Sequence, residues 1–365
     1  MNGTFDSPRL RNLKPYTPGE QPVVGGVVKL NTNENPYPPS PLAVAAMLEA
    51  VRSGLELYPD PDAGLVRESI AAYYGLSDAE VFVGNGSDEV LAFAFCAFFQ
   101  QEGRPLLFPD VTYSFYEVYC QLYGIIHKLV PVDGSLRITV EDFLALQNSD
   151  TRIAGIVLAN PNAPTGEHLS LAEIERLLFA YPYAVVLVDE AYVDFGGQSA
   201  AHLVRQHPNL LVVQTLSKSR SLAGLRVGFA VGSEQLISSL RRVKDSFNSY
   251  PVGRVAQAGA AAAIRDRLYF AKVTAAVMSS RDSLSAALKS QGFEVLPSKA
   301  NFLFVRHPTI GAERLARNLL QYKILVRHFR RPRVDQFLRI SIGTDQQMAY
   351  LIEALRKIMT GSPKP

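Results

Sequence analysis

The chain has 365 residues, 47% of them hydrophobic and 19% charged, with 37 basic side chains against 34 acidic ones. That length suits about two domains, and the composition excludes a disordered or fibrous protein. A net charge of +3 is too small and too scattered for a nucleic-acid surface, so no such partner is expected. The longest apolar run, Val90 to Phe99, falls well short of the roughly 18 residues that a membrane span needs. Met1 to Gly19 carries charges and prolines but no apolar signal stretch, so a soluble, cytoplasmic protein is expected. Two cysteines, Cys96 and Cys120, cannot build a disulfide framework or a four-ligand zinc site. Cys96 lies within the apolar run and reads as a small core residue. The six histidines lack the paired spacing of a zinc hydrolase, and no serine-hydrolase elbow or Walker loop occurs.

Taken in order, residues 1–40 form an arm in which Pro8, Pro15, Pro18, Pro22, Pro36, Pro38 and Pro39 forbid a continuous helix. It has little apolar surface and must lie on something else to be ordered. Residues 41–260 alternate between two patterns. Helical periodicity covers Leu42–Val51, Leu65–Tyr74, Glu89–Phe99, Phe115–Tyr123 and Leu171–Phe179. Between these lie short runs rich in Val, Ile and Leu: 81–83, 106–108, 153–158, 184–188, 210–213 and 227–231. Such runs read as strands buried on both faces, hence a mostly parallel α/β sheet covered by helices. An alanine-rich helix is expected over Gly253–Ile264. Residues 261–365 then carry four strand patterns (293–296, 302–305, 324–326 and 337–342) with few helices between them. They read as a smaller α+β domain.

Ligands of open α/β sheets gather at the carboxyl ends of the parallel strands. The 184–188 run leads into Asp189-Glu190-Ala191-Tyr192, and a carboxylate there is costly to bury unless a cation meets it. The 210–213 run leads into Gln214-Thr215-Leu216-Ser217-Lys218, with Arg226 eight residues later. The 81–83 run leads into Gly84-Asn85-Gly86-Ser87-Asp88 and a helix, whose first N–H groups suit an anion. Together these ends offer an amine, a buried acid, hydroxyl donors, an arginine and a helix N-terminus. That equipment suits pyridoxal 5′-phosphate: the lysine for the Schiff base, the aspartate to keep the pyridine nitrogen protonated. Ser217, Arg226 and the helix end would take the phosphate, and Tyr113 the pyridine face.

Each piece alone has a plainer reading. Lys218 by itself is a solvated loop lysine, Asp189-Glu190 a helix cap, and Gly84-Asn85-Gly86 a tight turn. Arg339, in Phe337-Leu338-Arg339-Ile340-Ser341-Ile342, could simply face away from Leu338 and Ile340. The dinucleotide fingerprint lacks its third glycine, which disfavours a Rossmann cofactor.

The pieces in combination are decisive. Leu30-Asn31-Thr32-Asn33-Glu34-Asn35-Pro36, Tyr58-Pro59-Asp60, Gly86-Ser87-Asp88-Glu89, Pro161-Asn162-Ala163-Pro164-Thr165-Gly166, Asp189-Glu190-Ala191-Tyr192, Ser217-Lys218 with Gly224-Leu225-Arg226, and Leu338-Arg339-Ile340 span nearly the whole chain. In that order they resemble the fold-type-I pyridoxal-phosphate aminotransferases, and among them the histidinol-phosphate aminotransferase family. The resemblance implies that the mostly parallel sheet is of the seven-stranded type. It also implies Lys218 as Schiff-base lysine, Asp189 on the pyridine nitrogen and Tyr192 on the ring hydroxyl. It implies Tyr113 as the stacking ring, and Gly86, Ser87, Asp88, Ser217 and Arg226 around the phosphate. Tyr58 would reach that phosphate from the other subunit of a homodimer. Arg339, helped by Arg327, Tyr16, Asn33 and Tyr250, would hold the substrates: histidinol phosphate and the glutamate/2-oxoglutarate pair.

The chain departs from the family pattern twice. Where the family commonly has asparagine before Pro-Thr-Gly, this chain has Ala163, and Asn162 is the nearest amide for the cofactor's ring oxygen. The aromatic residue common after the lysine is replaced by Ser219-Arg220. Rival readings on the same scaffold are an aromatic amino-acid aminotransferase and a decarboxylase or lyase. A non-catalytic regulator would be expected to lose Lys218 or Asp189.

Overall fold

A computed structural model describes residues 5–11, 13–17, 19–20, 25–148 and 152–360. Pro18 and Pro22 of the arm lie outside the described residues.

Among the described residues twelve strands form two sheets. Strand β1 (Val28–Leu30) belongs to the arm; β2 (Val81–Gly84), β3 (Leu106–Pro109), β4 (His127–Val130), β5 (Gly155–Ala159), β6 (Val185–Asp189), β7 (Leu210–Thr215) and β8 (Gly228–Gly232) follow. The last four are β9 (Glu294–Val295), β10 (Phe302–Arg306), β11 (Ile324–His328) and β12 (Leu338–Ser341). The larger sheet has seven strands in the order β2-β8-β7-β6-β5-β3-β4. β4, β3, β5, β6 and β7 run parallel, whereas β8 is antiparallel to both β7 and β2.

Alternation along each central strand feeds two separate cores. Val186 and Val188 join one apolar cluster with Ile156, Leu158 and Val212, while Leu187 joins another with Val157, Leu211 and Val213. All of these side chains are inaccessible to solvent. A doubly covered parallel sheet needs such continuous apolar runs. Helices Pro41–Arg52 and Gly64–Tyr74 pack with Arg254–Arg265 on the first face, and Ala43, Ala260 and Ala261 belong to its apolar cluster. The expected single helix at 89–99 is an α-helix, Gly86–Ala94, continued by a wider π turn, Phe95–Phe99.

The smaller sheet has five strands, β1-β11-β12-β10-β9. The arm is therefore woven into it: β1 pairs in parallel with β11, Leu30 opposite Val326. The C-terminal region is more helical than expected, because helices Arg267–Ser290, Ala312–Gln321 and Asp345–Thr360 accompany its strands. Their apolar faces meet the sheet through Leu284, Leu315, Leu351 and Leu355. The helix Arg254–Arg265 runs across position 260 without a break. Among the described residues no helix is long and apolar enough to cross a membrane.

Candidate active site

The carboxyl ends of β5, β6 and β7, with Ala223 and Arg226 of the segment leading into β8, open into a cavity of about 630 Å³. Its other walls come from the arm (Tyr16, Asn31–Glu34) and from Arg327 of β11 and Arg339 of β12. The size suits a small-molecule site.

Asp189 ends β6 and lines this cavity at 5% exposure. The Tyr116 hydroxyl donates to its Oδ2 at 2.8 Å, while Oδ1 has no partner. Burial pushes the carboxyl up to about 6, against the lowering effect of Tyr116. A buried carboxylate with one unmatched oxygen calls for a cationic N–H. Lys218 follows β7, and its Nζ donates to the Thr32 carbonyl at 3.0 Å. Burial and the nearby Arg339 pull this amine down to about 8. Asn35 holds the backbone at that point, donating from Nδ2 to the carbonyls of Lys218 and Ser219 at 3.0 and 3.3 Å.

The anion cradle lies where helix Gly86–Ala94 begins. Gly86 has φ +80°, and a Cβ there would sit 2.6 Å from Arg226 Nη2. Gly228, at the start of β8, packs so closely on the backbone of Ser87 that a Cβ would overlap it. Only glycine satisfies both demands. Arg226, itself at φ 54°, bonds Asp88 Oδ2 at 3.0 Å and Ser217 Oγ at 3.3 Å. Asp88 also accepts from the Tyr113 hydroxyl at 3.2 Å. Asp88 thus orients Arg226 and Tyr113, with Ser87 and Ser217 beside them on the cavity wall.

Tyr192 accepts from Asn33 Nδ2 at 3.0 Å, which leaves its own hydroxyl proton free to donate. Asn33 is fixed by Ser341, which accepts from the Asn33 N–H and donates to Asn33 Oδ1, both at 2.9 Å. Arg327 and Arg339 are register partners across β11 and β12. Arg339 Nη2 donates to the Asn31 carbonyl at 3.1 Å, and its buried Nε is unmatched. Its face is the cavity, so the alternation that separates it from Leu338 and Ile340 points it inward to the site rather than to solvent. Tyr16 closes this side, 4.8 Å from the Phe115 ring.

Three expected members stand apart. Asn162 is wholly buried and off the cavity, whose wall is Pro161 and Ala163 instead. Its amide donates to the Val111 carbonyl (2.9 Å) and Thr165 Oγ1 (3.0 Å), and its oxygen accepts from Thr112 Oγ1 (2.8 Å). With both amide N–H groups and the amide oxygen engaged by Thr165 and by the segment after β3, Asn162 is turned away from the cavity. Tyr58 and Tyr250 stack on each other, centroids 4.7 Å apart, and are 78% and 43% exposed. They lie outside this chain's own cavity.

Four contributors had escaped notice: Tyr116, the Thr32 carbonyl, Glu34 and Asn35. The last three sat within the quoted Leu30–Pro36 segment. Tyr116 carried no signal beyond its place one helical turn after Tyr113. Among the described residues no cluster of His, Cys, Asp and Glu could hold a metal ion.

The arrangement fits pyridoxal 5′-phosphate on the chain's own terms: an unmatched buried carboxylate oxygen, an amine of lowered basicity and a glycine-lined anion cradle. The family model for aminotransferases of class I and II matches residues 25–355. The chain is 57% identical to the histidinol-phosphate aminotransferase of Aromatoleum aromaticum, over 96% of this chain and 98% of that one. It is also 57% identical to histidinol-phosphate aminotransferase 1 of Pseudomonas aeruginosa, over 96% and 98%. Among solved structures, the histidinol-phosphate aminotransferase of Sinorhizobium meliloti in complex with pyridoxal-5′-phosphate superposes with a TM-score of 0.85. That match covers 99% of both chains at 22% identity, which speaks for the fold. Sequence and cavity together make this chain a member of the class I and II aminotransferases, within the histidinol-phosphate aminotransferase family.

Proposed function

We propose that this protein transfers the amino group of L-histidinol phosphate to 2-oxoglutarate, forming imidazole acetol phosphate and glutamate for histidine biosynthesis. The observation that carries this reading is one cavity holding Lys218 and Asp189 together with the arginine pair Arg327 and Arg339. Both substrates present an anion to that pair, and a planar guanidinium bonds phosphate and carboxylate equally well.

When bound, pyridoxal 5′-phosphate supplies the electron sink that makes a substrate α-proton acidic. The protein supplies the rest. Asp189 Oδ1 would receive the pyridine N–H and keep it protonated. Tyr192, its own oxygen held by Asn33, would donate its hydroxyl proton to the ring oxygen. Arg226, Ser217, Ser87 and the first N–H groups of helix Gly86–Ala94 would hold the phosphate, and Tyr113 would cover the ring. Lys218 would hold the cofactor and, once released by the substrate amine, would serve as the base that takes up and returns the substrate α-proton. An amine drawn down to about 8 is close enough to neutral pH to act as a base and recover its proton.

The chain reads as an arm, a large cofactor domain and a small domain, divided near Asp266 where one helix ends and the next begins. It acts as a homodimer. Leu55 and Leu57, just before Tyr58 in sequence, are exposed, as are Leu42 and Leu48 of the preceding helix, and exposed leucines in this number favour cover by a partner. Tyr58 then reaches the partner's phosphate cradle, with Tyr250 beside it. We place the protein in the cytoplasm. Two rivals remain specific: an aromatic amino-acid aminotransferase, whose substrates the tyrosines would tolerate, and a decarboxylase. Comparing kcat/KM for histidinol phosphate with that for phenylalanine and tyrosine, with product analysis, separates them. Higher values for the aromatic acids, or carbon dioxide without glutamate, would overturn the assignment.

A further inference from the structure

Immediately after Lys218 the chain turns away from the cavity and buries a charge on the far side. Arg220 extends beneath the strand ends, where its guanidinium lies 3.5 Å from the Phe270 ring centre and 5.3 Å from that of Tyr73. Its Nη1 donates to the Ala263 carbonyl at 2.9 Å, near the end of helix Arg254–Arg265. Asp194 lines the same small void as Arg220, with Tyr73, Tyr74 and Gln214. The Ser219 hydroxyl donates to Asp194 Oδ2 at 2.5 Å. Glu190 belongs to this layer too: its carboxylate accepts from Gln214 Nε2 at 2.8 Å, from Ser199 Oγ at 2.6 Å and from the Ala200 N–H at 2.6 Å. Gln214 in turn accepts from the Tyr74 hydroxyl at 2.8 Å. Asp194, Tyr73 and Tyr74 act on Arg220, and Arg267 also packs over the Tyr73 ring at 4.9 Å.

Neighbouring residues thus serve opposite sides of one wall. Asp189 and Lys218 face the cavity; Glu190, Ser219 and Arg220 face the layer behind it. We propose that Arg220 and Asp194, linked through Ser219, are positioning residues that hold the Lys218 turn from behind and balance its electrostatic surroundings. This rests on Lys218 being the cofactor lysine. The charge has a purpose at a place where an aromatic residue would supply packing alone: it anchors the turn to the helix end at Ala263 by direction as well as contact. Asp194 and Arg220 must then balance, because an unmatched charge in so dry a layer acts strongly on the next one along the chain.

The test is the pH titration of the visible absorbance of the cofactor-loaded enzyme. Arg220→Gln leaves the carboxylates unbalanced and moves the midpoint up, by roughly half to one pH unit. Asp194→Asn leaves Arg220 unbalanced and moves it down by a similar amount. The double variant returns near the wild-type midpoint. Ser219→Ala keeps both charges and the fold, so it decides the positioning half even where the charge variants fold poorly. It should lower kcat about threefold to tenfold with KM for the amine unchanged. A normal wild-type band whose midpoint neither charge variant moves, or that both move in the same direction, overturns this inference alone. So does an unchanged kcat in Ser219→Ala. A wild-type protein with no band overturns the reading of Lys218 as well.

Discussion

Replacing Asp189 by asparagine should make the cofactor-free protein more stable while weakening its function. The carboxyl sits at 5% exposure, and burial raises it from its ordinary 3.8 to about 6 against the lowering effects of the Tyr116 hydroxyl and the Ala191 backbone N–H. The folded form therefore binds a proton more readily than the unfolded form between those values. Stability falls as pH rises through that window, and the full cost applies above it. At about 1.4 kcal/mol per pH unit, the cost is about 3 kcal/mol. Asparagine keeps the shape and still accepts from Tyr116, but cannot ionise. Urea unfolding of both cofactor-free proteins at a fixed concentration checks this. The variant should match wild type near pH 4 and exceed it by up to about 3 kcal/mol at pH 8. Its cofactor affinity should fall about tenfold to a hundredfold, since a charge-assisted contact is lost. A stability difference that is flat with pH, or a variant less stable than wild type at pH 8, would refute the reasoning.

Asn162→Ala should act on stability rather than on the cofactor, because its amide ties its loop to Val111 and Thr112 after β3 and to Thr165. Loss of three buried hydrogen bonds predicts about 2–4 kcal/mol in unfolding experiments, with the absorbance midpoint of the loaded enzyme unmoved. Arg339→Ala should reduce kcat/KM for histidinol phosphate and for glutamate together, by about tenfold to a hundredfold, with the visible spectrum intact. A loss confined to one substrate would show that they use different anchors. Sedimentation should find a dimer at assay concentrations, and Tyr58→Phe should weaken cofactor retention although Tyr58 lies outside its own chain's cavity. A fully active monomer would rule out shared sites.

The large sheet was legible because its strands are buried on both faces and read as unbroken Val, Ile and Leu runs. β4 was not: His127, Lys128 and Leu129 of this edge strand are exposed, so no apolar run marks it. Helices Arg267–Ser290 and Ala312–Gln321 were missed because charged residues interrupt their apolar stripes: the first even buries Arg281, and the second carries Glu-Arg-Leu-Ala-Arg. β1 is three residues inside a proline-rich arm, and only its pairing with β11 defines it. Within the site, Lys218 and Asp189 could be picked out by residue type and strand-end position, whereas Arg339, inside β12, was marked only by the resemblance. Their supports could not, because these join distant segments: Asn33 to Ser341, Tyr116 to Asp189, Lys218 to Thr32. Asn162 misled for a related reason. Proximity in sequence to the expected amide position does not reveal which side of the loop the side chain takes.

The central claim is that Lys218 holds the cofactor in this cavity and that Asp189 answers it from the end of the neighbouring strand. Reconstituting wild type and Lys218→Ala with pyridoxal 5′-phosphate and recording visible spectra before and after borohydride reduction tests it directly. Wild type should show a pH-dependent visible band and, once reduced, carry the cofactor's mass on the peptide containing Lys218. The variant should show only the spectrum of the free aldehyde and no labelled peptide. A band that survives Lys218→Ala unchanged, or label on another lysine, would contradict the account.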